Sequence, residues 1–150
     1  HRGPGFRDLT ADVLNGLGQV FQTRSKVVVF PSSGTGAWEA ALVNTLSAGD
    51  RVLMYETGHF AQLWYGIAER LGLDAQLLPG DWRHPVDSVA IGEALAKDVD
   101  HRIKAVCVVH NETSTGAMSD VAAVRAVIDE TRHPALLMVC PVYTSPSPRD

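Results

Sequence analysis

Apolar residues in this chain gather in short unbroken runs, separated by segments where they recur every third or fourth position. The runs at 26–30, 51–55, 75–78, 103–109 and 135–139 are consecutive rather than alternating. That is the pattern of strands covered on both faces of a parallel sheet. Between them, Leu63, Ile67 and Leu71 share one helix face, as do Val121, Val124 and Ile128, with Ser119 or Asp120 available as N-cap. Gly36, Ala37, Ala40 and Ala41 give the first inter-strand helix a small-sided face that can approach a sheet closely. A helix over roughly 7–21 precedes the first run, and 81–87, with Pro85, reads as a surface loop before another helix. The order predicts an α/β fold, a three-layer α/β/α arrangement with a mostly parallel sheet. There is no internal repeat. In such sheets ligands sit beyond the carboxyl ends of the strands, so the loops at 31–36, 56–60 and 110–116 should carry the chemistry.

Composition narrows the classes. The 150 residues suffice for one domain with a real core, and a net charge of −4 argues against a general nucleic-acid or membrane-surface binder. No apolar run approaches the ~20 residues that span a bilayer, and no secretory signal opens the chain. Cys107 and Cys140 are too few for a disulfide framework, which favours a cytoplasmic location. The six histidines show neither HxxxH nor H-x-x-E-H spacing, so no metal site is expected. A start at His1 suggests a fragment or a processed piece. Residues 140–150 change composition abruptly and contain three prolines. Their run from Tyr143 to Asp150 resembles translated sequencing adaptor; a disordered native tail is the alternative. The domain is therefore expected over 1–139, with 140–150 a non-native or disordered tail.

The first loop is the most informative. An apolar run breaks at Pro31, passes through Ser32, Ser33, Gly34, Thr35 and Gly36, and enters a helix-forming segment. Strand, turn and helix in that order aim free backbone N–H groups at one point. Ser33 and Thr35 add hydroxyls, and glycine lets a ligand approach the backbone, so a phosphate is the expected guest. A dinucleotide reading competes, because Gly34-Thr35-Gly36 is followed twenty residues later by Glu56. Its pattern requires a small residue where Glu39 stands. A purely structural turn is the third possibility. In the second loop, His59 or Phe60 could stack on a planar ligand, or Phe60 could simply pack in the core. In the third, His110-Asn111-Glu112-Thr113-Ser114-Thr115-Gly116, Thr113 or Asn111 could meet a ligand oxygen, or Ser114 or Thr115 could cap a helix.

Taken together these segments resemble the N-terminal half of the large domain of a class V aminotransferase, closest to the serine–glyoxylate and alanine–glyoxylate group. The matching residues are His1-Arg2-Gly3-Pro4, Val20 to Arg24, Ser33 to Gly36, Trp38 to Asn44, Ala68 to Gly72, and His110 to Gly116. The resemblance covers 1–139 and implies part of a fold-type I large domain that uses pyridoxal 5′-phosphate. It implies that Ser33, Gly34 and Thr35 hold the phosphate, Phe60 stacks on the pyridine, and Thr113 lies beside the cofactor, with Asn111 a less certain neighbour. The implied reaction moves an amino group from a small amino acid, serine or alanine, to glyoxylate or a related 2-oxo acid, in a homodimer.

Two of the family's groups are missing. Cys140 stands where the family's aspartate for the pyridine nitrogen is expected, and the Schiff-base lysine falls beyond residue 150. Lys26, Lys97 and Lys104 are placed at strand starts or a helix end. The chain itself is thus expected to contain no catalytic residue and to be inactive. Its strand at 26–30 should lack its usual neighbour, leaving the piece unstable on its own. A cysteine desulfurase is the alternative enzyme, although those typically carry a histidine where Thr35 stands. A non-catalytic dinucleotide-binding module is the alternative of another class.

Overall fold

The structure is a computed structural model that describes residues 2–141. The chain divides into two compact units, residues 1–32 and 33–150. The first contains α1 (Pro4–Val20), which opens with proline in its first turn, where the missing N–H costs nothing. It stops at Phe21, and Gln22 at φ 49° turns the chain so that the Thr23 amide reaches the Gly18 carbonyl at 2.9 Å. No residue of α1 is buried.

Residues 26–30 overturn an expectation, because they form no strand. β-branched residues suit a pleated surface, but only a partner's ladder makes a strand of them. No described strand pairs with this run, and Val28, Val29 and Phe30 are all exposed.

The second unit holds the sheet. Strands β1 (Arg51–Tyr55), β2 (Asp74–Leu78) and β3 (Ile103–Val109) match the predicted runs within one residue at each end. A hairpin of β4 (Asn111–Glu112) and β5 (Ala117–Met118) replaces the irregular third loop, and β6 (Leu136–Cys140) ends the sheet. β6 is displaced one residue from its predicted range, so Cys140 belongs to the sheet, opposite Val109. The tail expected over 140–150 otherwise lies outside the described residues from 142 onward.

The sheet order is β2-β1-β3-β6, all parallel. Alternate side chains fill opposite faces. Val52, Met54, Ala105 and Cys107 pack under α2 (Gly34–Thr45) and α3 (His59–Arg70) through Trp38, Leu42, Trp64 and Ile67. Leu53, Val106 and Val108 pack under α4 (Ser88–Lys97) and α5 (Val121–Glu130) through Ile91, Leu95, Val124 and Ile128. This is the three-layer arrangement that the apolar pattern predicts.

Asp87 and Asp120 cap α4 and α5 by accepting first-turn amides. Ser119, the other cap candidate, instead accepts the Val86 amide at 3.3 Å. Among the described residues, no helix is long and apolar enough to cross a membrane.

Candidate active site

Parallel strands deliver their carboxyl ends to one edge, and helices that follow a loop there begin at that edge. Val109 and Cys140, neighbours at the ends of β3 and β6, line a hollow of about 60 Å³ that opens to solvent. Ser33, Gly34 and Thr35 form its rim where α2 starts, Phe60 contributes from the first turn of α3, and Asn111 and Thr113 contribute from the β3–β5 connection. Ser33, Gly34, Thr35, Phe60 and Thr113, the expected cofactor residues, therefore line one hollow together with Asn111. His59 and His110 do not.

The start of α2 leaves its first donors without partners. No side chain caps it, and the Gly36 and Ala37 amides both turn back to the Ser33 carbonyl at 3.0 and 3.3 Å. The Gly34 and Thr35 amides come before that first intrahelical bond, so they are the orphan donors of the helix end. Trp38, one turn further on, is buried and lines the same hollow, and its indole Nε1 has no hydrogen-bond partner. Backbone amides and the hydroxyl residues Ser33 and Thr35 thus lie at one end of the hollow, beside the buried Trp38 indole.

The aromatic wall is held by its neighbours. Trp38 stacks on Trp64 with centroids 5.4 Å apart and planes 13° from parallel. Phe60 meets Trp38 edge-on at 6.4 Å and His59 edge-on at 5.7 Å. Edge-to-face contacts of this kind are favourable and fix ring orientation. Phe60 also packs against the core beneath α3, as its core reading expects.

Sequence reasoning missed Glu112. Its carboxylate is fully buried and accepts the Phe60 and Ala61 amides at 3.3 and 3.1 Å, and the Ser114 amide and hydroxyl at 3.2 and 2.6 Å. A signal was present. Helix α3 begins after Gly58, which has no side chain with which to cap it, so an acceptor had to come from elsewhere. Trp38 was also missed as a lining group, since it sits in a helix, whereas Cys140 lines the hollow at the position where the resemblance places the family's aspartate.

Other candidates fall away. Glu56, which a dinucleotide would need for its ribose, already accepts Gln62 Nε2 at 2.8 Å and Trp82 Nε1 at 2.9 Å on one oxygen. Burial pushes the Cys107 thiol up to about 12, which keeps it protonated and unreactive. Among the described residues, no cluster of His, Cys, Asp or Glu can hold a metal. Lys97 ends α4 and Lys104 lies near the start of β3, at the opposite edge of the sheet from the hollow.

The family model described as aminotransferase class-V matches residues 5–141. The chain belongs to this family. It is similar to the serine–glyoxylate aminotransferase of Hyphomicrobium methylovorum, with 48% identity over 92% of the chain and 34% of that protein. Likewise it is 43% identical to the L-aspartate–glyoxylate aminotransferase of Paracoccus denitrificans, over 93% of the chain and 35% of the relative. The solved alanine–glyoxylate aminotransferase of Nostoc sp. superposes with a TM-score of 0.82 at 30% identity, over 93% of this chain and 36% of that one. The chain thus spans about a third of the length of these class-V relatives, and its fold matches the corresponding part of the solved one.

Class-V membership implies pyridoxal phosphate as cofactor, and the hollow fits that group on its own chemistry. Unpaired donors at the α2 start suit a phosphate, an aromatic face at Phe60 suits a pyridine ring, and polar Asn111 and Thr113 suit ring oxygens. At about 60 Å³ the hollow supplies the floor and one wall of such a site rather than an enclosure.

Proposed function

We propose that the intact protein is a pyridoxal-phosphate-dependent transaminase that moves an amino group from a small amino acid, serine or alanine, to glyoxylate or a related 2-oxo acid. One observation carries this reading: the uncapped start of α2, the Phe60 ring and Thr113 line a single hollow at the carboxyl edge of the sheet. Family membership and the glyoxylate-using relatives support it. The resemblance supports a homodimer, and the scarcity of cysteine supports the cytoplasm.

In this reading the Gly34 and Thr35 amides and the Ser33 and Thr35 hydroxyls bind the phosphate. Oriented donors at a helix start hold an anion without reorganising when it arrives. Phe60 covers one face of the ring and excludes water from it, and Thr113 donates its hydroxyl to an oxygen on the ring's edge. Cys140 closes the floor, so no carboxylate among the lining residues faces the ring. When bound, the cofactor supplies an aldehyde to exchange amino groups and a ring that acts as electron sink.

The test uses the intact protein with glyoxylate and either serine or alanine, following glycine formation with and without added pyridoxal phosphate. Cofactor-dependent glycine formation is expected. Binding of NAD with no binding of pyridoxal phosphate would favour the dinucleotide module and overturn the reading.

A further inference from the structure

We propose that Glu112 is the positioning residue of this site: it fixes the aromatic wall against the polar flank, and so sets where the ring of a bound cofactor lies. The proposal rests on the transaminase reading. Helix α3 starts without a cap of its own, since Gly58 offers no side chain. Its first amides are nonetheless all met by the β4–β5 hairpin. His59 N–H donates to Ser114 Oγ at 3.0 Å, Phe60 N–H to Glu112 Oε1, and Ala61 N–H to Glu112 Oε2. Ser114 in turn donates to Glu112 through both its amide and its hydroxyl. Thr115 Oγ1 closes the seam by donating to the Thr57 carbonyl at 3.3 Å.

Four donors surround the carboxylate, which offsets the cost of burying it. Its neighbours in sequence are Asn111 and Thr113, both lining the hollow, and one of the amides it holds is that of Phe60. One side chain therefore ties the ring wall to the polar flank, although it touches neither the hollow nor a ligand there. Gly58 makes the closure possible. A Cβ at that position would lie 2.6 Å from Glu112 Cγ and 2.6 Å from Ser114 Oγ, closer than real Cβ contacts allow. The backbone of the anion cup is held locally, since the Gly36 and Ala37 amides turn to the Ser33 carbonyl rather than to the β4–β5 hairpin.

That separation distinguishes positioning from general support of the fold. Two probes are titrated into the intact apoprotein by calorimetry. Inorganic phosphate needs the cup alone; 4′-deoxypyridoxine 5′-phosphate needs the cup and the ring wall, and its methyl group cannot form an imine. In Glu112→Gln the new amide must turn an N–H toward a backbone donor, and Gly58→Ala wedges the seam from the other side with Glu112 intact. Each variant should bind the deoxy cofactor about tenfold more weakly, the loss expected when an aromatic contact is displaced, with phosphate affinity unchanged. Equal loss for both probes, no loss for either, or failure of both variants to fold overturns the proposal. A wild type that takes phosphate but not the deoxy cofactor refutes instead the transaminase reading on which it rests.

Discussion

Gly80, after β2, shows how tightly a single position can be specified. A Cβ there would lie 1.9 Å from the Glu56 carbonyl oxygen, which is backbone and cannot swing aside. Gly80→Ala should therefore cost about 1–3 kcal/mol in urea unfolding, and an unchanged midpoint would contradict the close approach. Ser33, Gly34 and Thr35 were legible in the sequence, because small hydroxyl and glycine residues between an apolar run and a helix-forming segment have a local meaning. Phe60 and Thr113 were legible through their place at strand ends. Glu112 was not, since its role exists only once α3 and the β4–β5 hairpin meet across fifty residues of chain.

At the scale of elements, burial pattern decided what could be read. The predicted bounds of β1 and β3 coincide with the observed ones, since both strands are central and covered on both faces. The run at 26–30 is just as apolar but has no partner among the described residues, and propensity without a ladder makes no strand. The β4–β5 hairpin was hidden because two-residue strands carry no periodicity. Asp98 gives a test at this scale, since it joins the turn after α4 to the turn before β6. It accepts the Ile103 amide at 2.6 Å and faces His133 Nε2 at 3.2 Å.

Burial alone would raise the pKa of Asp98. The Ile103 and Arg102 amides and then His133 outweigh it and hold the carboxyl below its ordinary value. A carboxyl depressed in the folded state contributes stability that is present above its unfolded pKa, about 3.9, and lost as pH falls through the folded value. Asp98→Asn should then destabilise the protein at neutral pH, with the gap to wild type narrowing between about pH 5 and pH 3. A gap that stays constant across that range in urea unfolding would argue against the assignment. Removing the caps with Asp87→Ala or Asp120→Ala should cost roughly 0.5–2 kcal/mol each, measured the same way.

For the whole molecule, the second unit has a closed two-sided core and the first does not. Phe6, Leu9, Val13, Val28, Val29 and Phe30 are each at least half exposed, all within residues 1–32. Exposed apolar surface of that kind invites association. The 150-residue chain expressed alone is expected to aggregate, and a soluble monomer with one cooperative thermal transition would show otherwise. The apolar pattern also made the layer order legible, because unbroken strand runs alternating with amphipathic helices admit few arrangements. The division at residue 32 was not legible, since nothing local in the sequence marks it.

The central claim is that the start of α2 is a phosphate cup facing the Phe60 ring. Its most direct test is a crystal structure of the intact protein grown with pyridoxal phosphate. Phosphate oxygens within hydrogen-bond distance of the Gly34 and Thr35 amides, with the pyridine against Phe60 and Thr113, are the predicted result. A phosphate bound anywhere else, or a ring that does not touch Phe60, would contradict it.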